Sequence, residues 1–290
     1  MALQIASRAG RTLAMAEDMT IPTPPRILSI AGSDSSGGAG IQADIKTITM
    51  LGGYAMTAIT AITAQNTVGV QGIAGLAPKI VAQQIASCLD DIGVDAIKIG
   101  MLHDAAIIAA VAEALAGVEA PIVLDPVMIA TSGAELIAPD AVAAMRTALF
   151  PRAALITPNL PELAALAGRP IMTTQDMIDA AAELADATGA AVLAKGGHAE
   201  SDRITDVLIV PPNGKGGARA VAFDHARIDT VHTHGTGCTL SSAIATLLGH
   251  GQPLEHAVRL ARQFVFQAIE NAPGFGAGSG PLGHQAVRNS

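Results

Sequence analysis

The sequence is poor in cysteine: among 290 residues only Cys88 and Cys238 occur, far apart and in different patterns. They supply neither a disulfide framework nor zinc-ligand spacing, which fits a reducing cytosol. Charge is scarce as well. Charged residues make up 14 %, the net charge is −8, and no basic stripe exists, which argues against nucleic acid or an anionic membrane as the main partner. No apolar run is long and uninterrupted enough to span a bilayer. No GxxxxGK[ST] occurs, so this is not a P-loop protein. One GxGxxG does occur, Gly278-Ser279-Gly280-Pro281-Leu282-Gly283. It sits in a glycine-rich tail rather than after the first strand, which disfavours a Rossmann oxidoreductase.

Half of the residues are hydrophobic, and the length suffices for one large α/β domain. Residues 1–25, with Arg8, Arg11 and a proline cluster, carry no firm apolar signal core and read as a loose N-terminal extension. From Arg26 onward, short apolar runs alternate with helical patterns. Strands are expected at 27–30, 54–63, 96–99, 122–124, 154–156 and 191–194, with a hairpin joining 207–210 to 220–223 across the turn-rich 211–217. Helices are expected from 41, at 79–91, 104–115, 141–149, 161–166 and 174–188, from about 236, and at 254–270. Residues 31–40 read as a flexible loop. No linker divides 26–285, which predicts a single domain followed by a short tail, 286–290. The alternation predicts a mostly parallel sheet with helices on both faces. Ligands in such sheets bind beyond the carboxyl ends of the strands, and the unusual polar residues fall there.

The stretch 232–248 organises this expectation. Gly235-Thr236-Gly237-Cys238 precedes an apolar stripe of Leu240, Ile244, Leu247 and Leu248. The first turn of a helix carries N–H groups without internal partners and the positive end of the dipole. Glycines there admit a close anion, so the segment has the makings of a phosphate cradle. Glycines before a helix are also common caps. Asp125-Pro126 at a strand end reads equally as a plain turn. Asn159 and Glu162, three apart, read either as a helix cap with an acidic first turn or as hard oxygen donors for Mg²⁺. Lys195 ends an apolar strand before two glycines and reads either as a solvated lysine or as one in reach of a nucleotide phosphate. His198, His232 and His234 show no zinc spacing and read as supporting or surface residues.

Six segments in order then resemble a known family. They are Ala31-Gly32-Ser33-Asp34-Ser35-Ser36-Gly37-Gly38-Ala39-Gly40-Ile41-Gln42-Ala43-Asp44, Ala64-Gln65-Asn66-Thr67, Ile97-Lys98-Ile99-Gly100-Met101-Leu102, Thr157-Pro158-Asn159-Leu160-Pro161-Glu162, Lys195-Gly196-Gly197-His198 and Thr233-His234-Gly235-Thr236-Gly237-Cys238-Thr239-Leu240. The set is similar to the hydroxymethylpyrimidine/phosphomethylpyrimidine kinases of thiamine biosynthesis, in the ribokinase-like superfamily. The resemblance implies a three-layer α/β/α sandwich and ATP- and Mg²⁺-dependent phosphorylation of a pyrimidine alcohol and then of its monophosphate. It also implies a cytoplasmic homodimer. By the resemblance, Gly32, Ala39, Asp44, Gln65, Met101 and Val127 line the pyrimidine pocket. Asn159 and Lys195 serve the nucleotide, and Glu162 and Asp125 the metal. Gly235, Thr236 and Gly237 form the anion hole, and Cys238 takes the catalytic-base position.

Many sugar kinases of that superfamily carry Asp where Cys238 stands. A thiol at a helix N-terminus has a lowered pKa, so Cys238 reads either as a partly ionised thiolate that accepts the alcohol proton or as a small buried residue packing the helix start. The second phosphorylation attacks with an oxygen already ionised at pH 7 and needs little or no base. Competing expectations are a pyridoxal or pyridoxine kinase on the same fold and a non-catalytic nucleotide-binding module.

Overall fold

The computed structural model describes residues 23–128, 139–198, 202–212 and 218–287. Most of the 1–25 extension, the far end of the 286–290 tail and most of the 211–217 turn lie outside them. The described chain forms one nine-stranded sheet flanked by helices on both faces.

The first strand β1, Arg26–Asp34, is buried along nearly its whole length. Helix α1 follows at Gly40–Met50, then β2 at Tyr54–Asn66 and β3 at Gly69–Gly75. Next come α2 (Pro78–Asp91), β4 (Ala96–Ile99), α3 (Ala105–Ala114), β5 (Ile122–Leu124) and α4 (Pro139–Ala148). Strand β6 (Leu155–Ile156) leads to α5 (Leu160–Ala167) and α6 (Thr174–Thr188), and β7 is Ala191–Ala194. The chain closes with β8 (Arg203–Val210), β9 (Arg219–Ala226), α7 (Thr236–Gly249) and α8 (Leu254–Glu270).

The sheet order is β3-β2-β1-β4-β5-β6-β7-β8-β9. The six strands from β2 to β7 are mutually parallel, and antiparallel partners finish both edges. Side chains alternate across the pleat. In β1, Leu28 and Ile30 face a core shared with Val81, Ile85, Ile107, Val111, Met145 and Leu163 of α2 to α5. Ile27 faces the opposite core, built with Ile48, Ile244, Val258 and Val265 of α1, α7 and α8. The result is the expected three-layer sandwich.

Two expectations are corrected. Residues 31–34 are strand, not flexible loop. They pair with β2 as far as Asp34↔Thr63, with a register shift between Ala31 and Ser33. Pairing with β2 alone extends the strand here, since the pairing with β4 ends at Ile30↔Ile99. Strand β3 was not expected at all. Its sequence, GVQGIAG, is largely exposed and offers no apolar alternation, and only pairing with β2 defines it. The expected hairpin exists, formed by β8 and β9.

Candidate active site

The carboxyl ends of the parallel strands open into a cavity of about 810 Å³. Backbone pairing brings its polar residues together. The Asp125 N–H donates to the Ile99 carbonyl at 2.9 Å, continuing β5 beside β4. The Thr157 N–H donates to the Leu124 carbonyl, and the Lys195 N–H to the Pro158 carbonyl, each at 2.9 Å. Thus Asp125, Asn159 and Lys195 stand at neighbouring strand ends although they are far apart in sequence.

Helix α7 aims its first turn at this row. Gly235, its N-cap, has φ +83°, a conformation open to glycine, and an added Cβ would lie 1.9 Å from the Gly38 carbonyl oxygen. The Thr236 N–H donates to the Thr233 carbonyl at 3.2 Å, which corrects its expected place in the anion hole, and the Thr239 N–H donates to Gly235 at 2.9 Å. Between them, the N–H groups of Gly237 and Cys238 have no acceptor among the described residues. A Cβ on Gly237 would meet Asp125 Oδ2 at 3.2 Å and Lys195 Nζ at 3.3 Å. Gly237 therefore lies beside an ion pair, Lys195 Nζ to Asp125 Oδ1 at 2.7 Å. Burial alone would lower the Lys195 pKa, but Asp125 and Glu162 outweigh it and hold the amine above its ordinary value.

Asn159 and Glu162 form a reciprocal cap on α5: Asn159 Oδ1 accepts from the Glu162 N–H at 2.9 Å, and Glu162 Oε2 from the Asn159 N–H at 2.8 Å. The capping arrangement is thus present, and both residues still line the cavity. Burial pushes the Glu162 carboxyl up to about 7, opposed by Lys195 and reinforced by Asp125. Among the described residues no three His, Cys, Asp or Glu side chains form a metal cage. Two carboxylates of this kind, without a cage, suit an ion held mainly by water and phosphate oxygens, which is how Mg²⁺ binds.

Of the expected pocket residues, Gly32, Ala39, Gln65, Met101 and Val127 line the cavity. A Cβ on Gly32 would meet Met101 Cε at 2.7 Å, so that glycine gives the methionine its room. Asp44 is a correction: it is fully buried behind the wall rather than lining it. Its oxygens accept from Lys98 Nζ at 2.9 and 2.8 Å, from Ser29 at 2.5 Å and from Ser242 at 2.6 Å. Lys98, given no role by the sequence, is itself fully buried. Burial would lower its pKa, yet Asp44 raises it, so the pair is ionic.

Cys238 brings a second correction. Cys238 is half-buried at the cavity wall. Burial pushes it up to about 11, with Lys98 opposing and Asp44 adding to the rise. This rise runs against the lowered pKa expected from the helix terminus. His234 is buried and holds Asp34 through Nε2 at 2.8 Å. The tail that carries GxGxxG packs on this segment, with the His234 N–H donating to the Gly280 carbonyl at 3.1 Å, rather than opening a βαβ unit. The His198 side chain lies outside the described residues.

The profile of the phosphomethylpyrimidine kinase family matches residues 34–283. The chain belongs to that family. A hydroxymethylpyrimidine/phosphomethylpyrimidine kinase of Streptomyces coelicolor is 45 % identical over 270 residues, covering 92 % of this chain and 98 % of that protein. A phosphomethylpyrimidine kinase structure from Clostridium difficile shares 40 % identity at a TM-score of 0.72, covering 84 % of this chain and 99 % of that one. A Staphylococcus aureus pyridoxal kinase in complex with AMP-PCP and pyridoxal superposes with a TM-score of 0.82 at 33 % identity, covering 91 % and 95 %. Family membership and the ribokinase-like fold are thereby shown together.

Proposed function

We propose that the cavity transfers the terminal phosphoryl group of ATP to 4-amino-5-hydroxymethyl-2-methylpyrimidine, and then a second one to the resulting monophosphate, supplying the diphosphate for thiamine diphosphate synthesis. One observation carries the reading. The unpaired amides of Gly237 and Cys238 and the Lys195–Asp125 pair belong to residues lining a single cavity, in a chain of this kinase family. Dipole and amides favour anionic charge at the α7 terminus. Lys195 neutralises charge on the nucleotide side. Asp125 and Glu162 would hold Mg²⁺ through its water shell, and the ion would screen the phosphate oxygens.

In the first step the hydroxymethyl oxygen forms its bond to the terminal phosphorus while the bond to ADP breaks, and the alcohol proton passes to solvent water in the cavity. Phosphoryl transfer passes through a loose transition state and depends chiefly on positioning and charge neutralisation. It therefore tolerates a neutral Cys238, which shapes the alcohol's approach. In the second step the attacking phosphate oxygen is already ionised. Gln65, on the pocket wall, offers its amide to the pyrimidine edge, and Met101 an adaptable apolar surface. The protein works in the cytoplasm as a homodimer; sedimentation at the monomer mass would contradict the second point.

The test is ADP release, measured side by side with the pyrimidine alcohol, its monophosphate and pyridoxal. Turnover of both pyrimidines is expected, at higher efficiency than pyridoxal. Turnover of pyridoxal alone, or of none of the three, would overturn the assignment.

A further inference from the structure

Resting on that function, we propose that Thr157 is a positioning residue for Asp125: together with Lys195 it occupies one carboxylate oxygen, so that the other stays turned toward the start of α7 for the Mg²⁺ water shell. Three neighbouring strand ends make the arrangement. Asp125 follows β5, Thr157 follows β6 and Lys195 follows β7. Thr157 is fully buried, and its Oγ1 lies 3.0 Å from Asp125 Oδ1, with no other acceptor for the hydroxyl among the described residues. Its single hydrogen therefore goes to Asp125. Lys195 Nζ donates to the same oxygen at 2.7 Å. Oδ1 thus has two donors, one for each lone pair. Oδ2 has none among the described residues, although Asp125 is only 2 % exposed. It lies 3.2 Å from the point where a Cβ on Gly237 would stand, and Asp125 lines the cavity. A buried carboxylate oxygen left without a donor is costly unless water or a ligand meets it there.

The two oxygens of a carboxylate are equivalent, so what must be fixed is the plane of the group. A single ammonium fixes a distance only. The carboxylate could still turn about its Cβ–Cγ bond until both oxygens share the cation, and neither would then be free for the site. A second donor, arriving from another strand, removes that freedom. Thr157 is built to hold still. Its N–H donates to the Leu124 carbonyl at 2.9 Å. Pro158 behind it keeps its backbone extended, and its branched Cβ restricts χ1. The hydroxyl does not line the cavity, so Thr157 acts through Asp125. Residues that orient a metal-serving carboxylate from behind are worth roughly 10–100-fold in metal affinity.

Calorimetry on the full chain tests it with two probes, AMP-PCP with Mg²⁺ and AMP-PCP with EDTA. Thr157→Val keeps the shape and removes the hydroxyl. It should weaken binding of the Mg²⁺ complex about 10-fold, the low end of that range. Metal-free binding should barely change, and Thr157→Ser, which restores the hydroxyl, should recover most of the affinity. A merely structural role would weaken both probes alike. Equal weakening of both, weakening of neither, or a Thr157→Ser variant no better than Thr157→Val would overturn the proposal. Should Thr157→Val not fold, a crystal structure of the intact protein with AMP-PCP and Mg²⁺ decides. Metal-bound water on the Asp125 oxygen away from Thr157 supports the proposal. A metal shell on the oxygen that Thr157 holds, or on neither, overturns it. Neither readout needs turnover. ADP release without the split between probes would sink this proposal alone, whereas the split without ADP release from any of the three substrates would sink the proposed activity.

Discussion

At the scale of single residues, Gly237 is the most exposed to test. Its φ lies outside the left-handed region, so Gly237→Ala meets no backbone strain there. The new methyl would nevertheless press on Asp125 Oδ2 and Lys195 Nζ and crowd the two free amides. Turnover should fall about 10²–10³-fold, the usual loss for one spoiled oxyanion donor. The melting temperature should scarcely change; a variant that melts early and keeps its rate would make Gly237 a packing residue. Cys238 gives a pH prediction. With the thiol pushed up to about 11, alkylation by iodoacetamide in a Cys88→Ser background should rise with pH toward that value. Half-maximal alkylation at or below about pH 8.5, the free-thiol value, would restore the thiolate base.

The residue scale is also where sequence reasoning reached its limit. Gln65, Met101, Asn159, Lys195 and Gly237 lie near strand ends or a helix start, where the alternation placed them, whereas Gly32 entered only by the family resemblance and sits inside β1. Asp44 was misplaced. An acid four residues into a helix looks the same whether it faces ligand or core, and its partner Lys98 is 54 positions away. Lys98 carries no signal of its own in an apolar strand. The helix-terminal location of Cys238 was readable, but the enclosure that raises its pKa comes from strands distant in sequence.

At the scale of elements, the tail after α8 locks α7 in place. His284 is buried, and its Nε2 lies 2.8 Å from Thr239 Oγ1 in the first turn of α7. Burial lowers its pKa to about 4, with Lys46 adding to the effect. The unfolded chain takes up a proton near pH 6.5 that the folded chain refuses. This contribution is present above pH 6.5 and is lost as the pH falls toward 4. Urea unfolding at pH 7 and pH 5 should show a loss of about 2 kcal/mol that the His284→Asn variant lacks. Identical pH dependence in both proteins would remove His284 from this account. Helices and buried strands were largely readable from periodicity and caps. β3 and the end of β1 were not, because sheet pairing rather than their own composition makes them strands.

At the scale of the whole molecule, six parallel strands deliver residues from six separate segments to one rim, and α7 closes it from the side. The described domain starts before β1, where the Tyr54 N–H donates to the Pro25 carbonyl at 2.8 Å. A chain beginning at Thr23 should therefore keep its fold and its kcat/KM within about twofold. A large loss would assign the preceding residues a part in the site or the fold. The central claim is that the start of α7 receives the transferred phosphate. A crystal structure with AMP-PCP, Mg²⁺ and the pyrimidine alcohol tests it most directly. The account predicts terminal phosphate oxygens within hydrogen-bond distance of the Gly237 and Cys238 amides, with the hydroxymethyl group beside them. A terminal phosphate bound elsewhere, with those amides facing only water, would contradict it.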